Sequence, residues 1–314
     1  MKKFALALPA FILAALAVSA DGQTADAPFL HVERGAAFES LQDAVDSVGD
    51  GQGTIRIASG VHGDCAVQTQ GRIAFVAASP GAAVFDGVTC EGKAALVLRG
   101  RGAVVDGLVF QNMRVADGNG AGIRLEKSNL DIVNSMFRNS EEGLLTADDP
   151  AASIRIDKST FSRLGRCDRG LSCAHSVYTG IFAKLVVTRS RFERGTGGHY
   201  LKSRAIRVDV SDNSFDDTRG TTTNYMIDLP SGSVGAIRGN VFVQGKDKEN
   251  YSAFIAVAAE ERKNPSNGLL IADNRASIVP GVERRSFFVA DWSGAKLAVG
   301  VNDLGTGLAV YERR

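Results

Sequence analysis

Phenylalanine recurs along this chain at intervals that fix what it can fold into. Short runs of alternating apolar residues end in Phe110, Phe137, Phe161, Phe192, Phe215 and Phe242, spaced 27, 24, 31, 23 and 27 residues apart. The segment LLIADNRASIV, 269–279, continues the series with Ala276 in the Phe position. Within a copy the apolar residues alternate, as in Ile154 and Ile156 before Lys158, or Val208 and Val210 before Asp212. Period two is the signature of a strand. Asn134, Asp157, Asp212, Asn213 and Asn240 cluster at the ends of these runs, where Asn and Asp suit turn or left-handed backbone. A second strand precedes each run, in AGIRLEK, GLLTAD, YLKSRAI, YMIDLP and FIAVAA. Two or three strands in about 25 residues cannot bury an apolar face alone, but stacked copies can. No window in the repeat region keeps a helical stripe, so the expectation is an all-β solenoid of parallel coils over about 54–310. Upstream, Phe38, Leu41, Val45 and Val48 do sit at helical spacing and predict a helix over 38–48, ended by Gly49, that caps the open end of the first coil.

The segment FESLQDAVDSVGDGQGTIRIASGVH resembles the N-terminal cap and first coil of right-handed parallel β-helix proteins of the pectin-lyase-like superfamily. The resemblance covers residues 30–310. Gly198–Ala205, His175–Tyr178 and Tyr225–Pro230 are similar to segments of secreted bacterial β-helix proteins without a settled activity. The resemblance therefore implies an architecture, a right-handed parallel β-helix, and leaves the chemistry open.

The first twenty residues read as a signal peptide. Lys2 and Lys3 precede an apolar run from Phe4 to Val18, and Val18-Ser19-Ala20 has small residues suited to cleavage. Residues 21–314 are then expected to form a single domain, exported to the periplasm or beyond and monomeric. Removing Lys2 and Lys3 from 36 basic residues against 35 acidic ones leaves a formal net charge of −1, without the basic surplus that nonspecific nucleic-acid binding needs. No other run is apolar enough to span a bilayer. Four cysteines in an exported chain are read as disulfides, Cys65–Cys90 and Cys167–Cys173, in preference to metal ligands.

Outward side chains on stacked strands form ladders spaced about 4.8 Å. Along YLKSRAI, alternation sends Leu201, Ser203 and Ala205 inward and Tyr200, Lys202 and Arg204 outward, with His199 just before them. The preceding coil contributes His175 and Tyr178, and the following one Tyr225 and Asp228. Two of the chain's four histidines thus fall in three adjacent coils, beside the long insertion RLGRCDRGLSC. A disulfide-closed loop there would wall a groove. Taken singly, each of these residues is what a solvated solenoid face or an aromatic ladder carries; their concurrence marks the patch. Asp148-Asp149 reads as a turn before Pro150, Glu260-Glu261 as part of a surface loop, and Asp117/Asn119 as a Gly-rich turn too poor in carboxylates for calcium.

The residue types suit proton abstraction α to a carboxylate. Lys202, Arg204, His199 and His175 are the catalytic candidates, and Tyr178, Tyr200, Tyr225 and Asp228 the substrate-binding ones. An extended face suits a linear acidic polysaccharide, cleaved by β-elimination at a uronate whose carboxylate Arg204 neutralises. Lys202 as base would need its ordinary pKa of about 10.4 lowered; His199 with Tyr200 or Tyr178 is the alternative pair. The resemblance implies a Lys or Arg base and often Ca²⁺; no acidic cluster convincingly supplies a calcium site here, which favours a cation-free version with Ca²⁺ as the alternative. C5 epimerisation shares the proton abstraction. Asp228 also suits a glycoside hydrolase, which needs a second carboxylate about 5–9.5 Å away. A non-catalytic glycan-binding or envelope protein is the remaining class.

Overall fold

A computed structural model describes residues 27–314; the expected signal peptide lies outside them. Residues 52–313 coil through three parallel sheets of ten strands each, in about 9 turns, and the first sheet gains two antiparallel strands from residues 29–38. Every coil visits the sheets in the same order. The Phe-terminated runs each break into two strands, such as Gly102–Asp106 in the first sheet and Leu108–Gln111 in the second. The strands expected upstream of them, including Leu201–Ser203 and Ile227–Leu229, form the third sheet.

The first two sheets meet at a two-residue corner that hardly varies. Asn134, Lys158, Arg189, Asp212 and Asp273 all have φ between 48° and 59° there, and Gly239 has 65°. That left-handed residue reverses the side-chain phase without lengthening the turn. The next residue is Ser135, Ser159, Ser190, Asn213, Asn240 or Asn274, and its side chain points inside. Each accepts a hydrogen bond from the backbone N–H of the same position one coil earlier, at 2.9–3.3 Å. Asn302 adds a last rung. Asn213 and Asn240 are therefore internal ladder residues, whereas Asn134 and Asp212 hold the left-handed turn. Asp157 does neither: it is buried and pairs with Arg189 and Arg155.

In the second sheet the phenylalanines stack. Phe85, Phe110, Phe137, Phe161, Phe192, Phe215 and Phe242 have successive ring centroids 4.8–5.5 Å apart. All are fully buried. Ala276 pairs with Phe242 in register, and the space it leaves is occupied by Phe288, whose ring meets Phe242 edge-on at 5.6 Å.

At the N-terminal end Phe29–His31 pairs antiparallel with both Ala36–Phe38 and the first coil strand, Gln52–Ile57. The cap helix spans Leu41–Val48, with Leu41, Ala44, Val45 and Val48 buried. It starts three residues later than its apolar spacing suggests, because Ser40 Oγ accepts the Asp43 N–H and fixes the N-cap, leaving Phe38 in the hairpin. Both expected disulfides are present. Cys65–Cys90 ties two successive coils, and Cys167–Cys173 closes the local loop. Among the described residues no helix is long and apolar enough to cross a membrane.

Candidate functional site

Through its middle coils the outward face of the third sheet changes chemistry at every step. Parallel register aligns Arg124, Leu145, Tyr178, Lys202 and Asp228 in one column. At the corner leading into these strands His175, His199 and Tyr225 form a second column. The two imidazoles stack at 4.9 Å, and His199 stacks on Tyr225 at 5.5 Å. His175, Tyr178, His199 and Lys202 line a single cavity of about 660 Å³, against Cys173 of the disulfide loop. Sequence spacing thus brought together residues that the fold does place side by side.

Tyr200 is different. It is 1% exposed, and its hydroxyl donates to Asp217 Oδ1 at 2.6 Å while accepting the Gly195 N–H. The outward orientation expected from alternation is overturned, because two consecutive residues turn inward at this corner. Gly122, Gly143, Ser176, Met226 and Phe254 occupy the equivalent place and are likewise buried. At Gly143 an added Cβ would lie 2.8 Å from the Phe161 ring. With its hydroxyl donating to Asp217 and burial pushing its pKa well up, Tyr200 is a buried brace beneath the strand carrying Lys202, off the outward face.

The electrostatics of the cavity follow from burial. His175 Nδ1 accepts the His199 backbone N–H at 3.0 Å, so its neutral form carries its proton on Nε2. Burial, then the neighbouring His199 and Lys202, hold its pKa well below the usual imidazole range. His199 is lowered to about 3, chiefly by burial and next by Lys202. Both histidines are neutral at neutral pH. Asp228 lies 3.4 Å from His199 Nε2 and 3.5 Å from Lys202 Nζ, yet burial outweighs the cation and raises its pKa to about 6.

Arg204 and Lys202 carry the positive charge. Arg204 Nε donates to the Tyr178 hydroxyl at 3.0 Å and Nη1 to Ser231 Oγ at 2.9 Å. Its pKa is raised: hydrogen bonds to Tyr178 and Glu260 outweigh a desolvation that is the largest single contribution. Glu260 bridges the two cations, pairing with Lys202 Nζ at 2.6 Å and with Arg204 Nη2, while Glu261 takes Arg204 Nη1 at 3.0 Å. The loop bearing both glutamates is tied down where their N–H groups donate to the Pro230 carbonyl. Read from sequence as part of a surface loop, these two carboxylates belong to the site.

Glu142 and Arg124 also went unpredicted. Both line the cavity; Glu142 is 2% exposed, its Oε2 has no hydrogen-bond partner among the described residues, and burial pushes its carboxyl well above the usual range. His199 Nδ1 and Asp228 Oδ1 are likewise buried without a partner. Sequence held one usable signal, the register. Glu142 lies two residues before Leu144, as His175 lies before Val177, and these two strands pair there. Asp117 accepts the Asn119 N–H in its turn, and Asp148 accepts the Ile181 N–H, so both serve local structure.

No family model matches the chain, and no curated protein matches it. Among solved structures it is similar to ORF18 of Geobacillus virus E2, with 14% identity and a TM-score of 0.46. That alignment covers 87% of this chain and 56% of the viral one, so the chain spans little more than half of its length. Likeness at this level says nothing about activity.

Proposed function

We propose that the third-sheet face binds an acidic, uronate-containing polysaccharide and cleaves it by β-elimination, in an exported protein of pectin-lyase-like architecture. One observation carries this reading: Lys202 and Arg204 already grip a carboxylate between them, that of Glu260. A uronate carboxylate entering the groove takes the place of Glu260, whose side chain is 44% exposed and free to swing away. Two cations on that group make the adjacent C5 proton acidic.

Lys202 is then a carboxylate-holding cation rather than the base. Neither histidine is placed to take a proton, since His175 Nδ1 is occupied and His199 Nε2 faces Asp228. Tyr178 remains. Acting as the phenolate, its oxygen takes the C5 proton, the electron pair forms the C4–C5 double bond, and the C4–O bond breaks. The proton that Tyr178 has taken then passes to the leaving oxygen, which returns the phenolate for the next turnover. C5 epimerisation would share the first step and return the proton to the other face. A hydrolase using Asp228 is less well served, since Glu142 is also pushed toward its neutral form and Glu260 is held between two cations.

The test is ultraviolet absorbance of the unsaturated uronyl product after incubation with pectate, alginate and chondroitin. Tyr178→Phe should remove turnover, on the order of a thousandfold, and leave binding in place. A folded protein that binds one of these polymers but never cleaves it, at any pH and with Ca²⁺ added, is a binding module. Failure to bind any of them overturns the reading.

A further inference from the structure

A second cavity, of about 730 Å³, lies across the disulfide loop from the first. Cys167 lines it, Cys173 lines the first, and the two Cα atoms are 4.4 Å apart. The 115–119 turn borders both, through Val115 and Ala116 on one side and Asn119 on the other. Buried Arg166 joins these two shared walls, donating to the Ser172 carbonyl at 2.9 Å and the Gly118 carbonyl at 3.4 Å. The cavities are neighbours on a fixed partition.

Four arginines and two carboxylates line the second cavity. The carboxylates are committed. Glu141 takes Arg169 at 2.7 Å and the Val115 and Gly120 N–H groups, and Asp168 takes Arg166. Arg114 makes only a bond to the Met113 carbonyl, and Arg163 makes no side-chain hydrogen bond or ion pair among the described residues. Arg163 also holds φ at 56°, a left-handed position that Asn139 fills one coil earlier and Arg194 one coil later. A bulky residue there carries a conformational cost that Asn would reduce. Two exposed guanidiniums are thus presented to a cavity whose own acids are already paired.

We propose that this cavity is a second anion subsite, in which Arg114 and Arg163 hold a carboxylate or sulfate of the same glycan chain beyond the disulfide loop. This rests on the glycan reading for its ligand but not for its chemistry, which is a bidentate guanidinium pair on an oxyanion. It makes the site longer than the cavity containing His175, so affinity should rise with chain length.

The experiment titrates the protein with oligogalacturonates of graded length and, separately, with inorganic sulfate followed by arginine side-chain NMR shifts. Arg114→Gln/Arg163→Gln should weaken binding of the longer fragments about tenfold while the shortest loses little. Sulfate shifts should vanish in the same variant. Arg56→Gln/Arg72→Gln, which removes equal charge from the first sheet, should change neither. Fragments and sulfate bound equally by wild type and the Arg114/Arg163 variant overturn the subsite and leave the glycan reading standing. Sulfate lost in that variant, with no fragment bound by wild type, supports the anion site and overturns galacturonate as its glycan. Equal losses in both double variants reduce the effect to net charge and overturn the proposal.

Discussion

The phenylalanine column inside the second sheet and the outward column of the third sheet run through the same coils under opposite rules. From Phe85 to Phe242 the inner column repeats one ring, stacked at nearly constant spacing. Over the same layers the outer column reads Val97, Arg124, Leu145, Tyr178, Lys202, Asp228 and Ala256, with no residue used twice. A buried ring must fit the ring above and below it, because an interior packed at crystal density leaves no room for variation. An outward residue meets no such demand. Where the fold dictates, it dictates the same residue each time; where it does not, the residues present are there for another reason or none.

Substitutions along the two columns test that contrast. Phe161→Ala opens a cavity between Phe137 and Phe192 and should cost about 3–5 kcal/mol, measured by denaturant unfolding. A loss near 1 kcal/mol would mean the stack is replaceable filler.

Asp228 breaks the rule from the outer side, since it is 3% exposed and its pKa is raised from 3.8 to about 6. The folded state holds this proton more tightly than the unfolded state does. The contribution is therefore complete below pH 4 and is lost as pH rises through 6, on the order of 3 kcal/mol. Asp228→Asn should flatten the fall in stability between about pH 4 and 6, read from melting curves across that range. An unchanged slope would place the carboxyl in a wetter setting than its burial implies.

The Asn ladder is a second repeating column, polar where the other is apolar. Asn240→Ala deprives the Asn213 N–H of its acceptor and the Asn274 amide of its donor, and should cost about 2 kcal/mol. Asn240→Ser, which the earlier rungs use, should recover part of it. Smallest of all, Arg204→Ala should change stability by about 1 kcal/mol or less, because its acidic partners are solvent-accessible and Glu260 keeps Lys202. Its effect on glycan binding should be far larger, and a variant that loses stability but not binding would reverse the roles assigned to the two columns.

Most of the architecture could be read from residues that the coil forces to recur. The Phe interval, the turn residues and the apolar spacing of the cap helix each reflect one repeated packing requirement, and both disulfides followed from a cysteine pair in adjacent coils or one loop. Tyr200 was misread because alternation describes a flat strand and fails at a corner where two residues in succession face inward. Glu142 is 33 residues from His175 and sits with Glu141 at the start of a strand, where an acidic pair reads as a solvated turn. Glu260 reaches Lys202 only because its loop folds back over the previous coil, a long-range hydrogen-bonding event with no sequence period.

The two-residue corner between the first and second sheets has a consequence for how such a chain can change its length. From 134–135 to 273–274 it never gains or loses a residue, and each Ser or Asn there is bonded to the coil before it. An insertion at that corner would shift every later rung out of step. The unequal Phe intervals must then be absorbed at the other two corners, and of two of the longest excursions, the one around Cys167–Cys173 borders both charged cavities and the one at Glu260–Asn264 supplies the carboxylates that pair with Lys202 and Arg204. The molecule has one hinge-side edge that keeps count and an opposite edge open to grafting, so new binding loops can be added or exchanged without re-registering the stack.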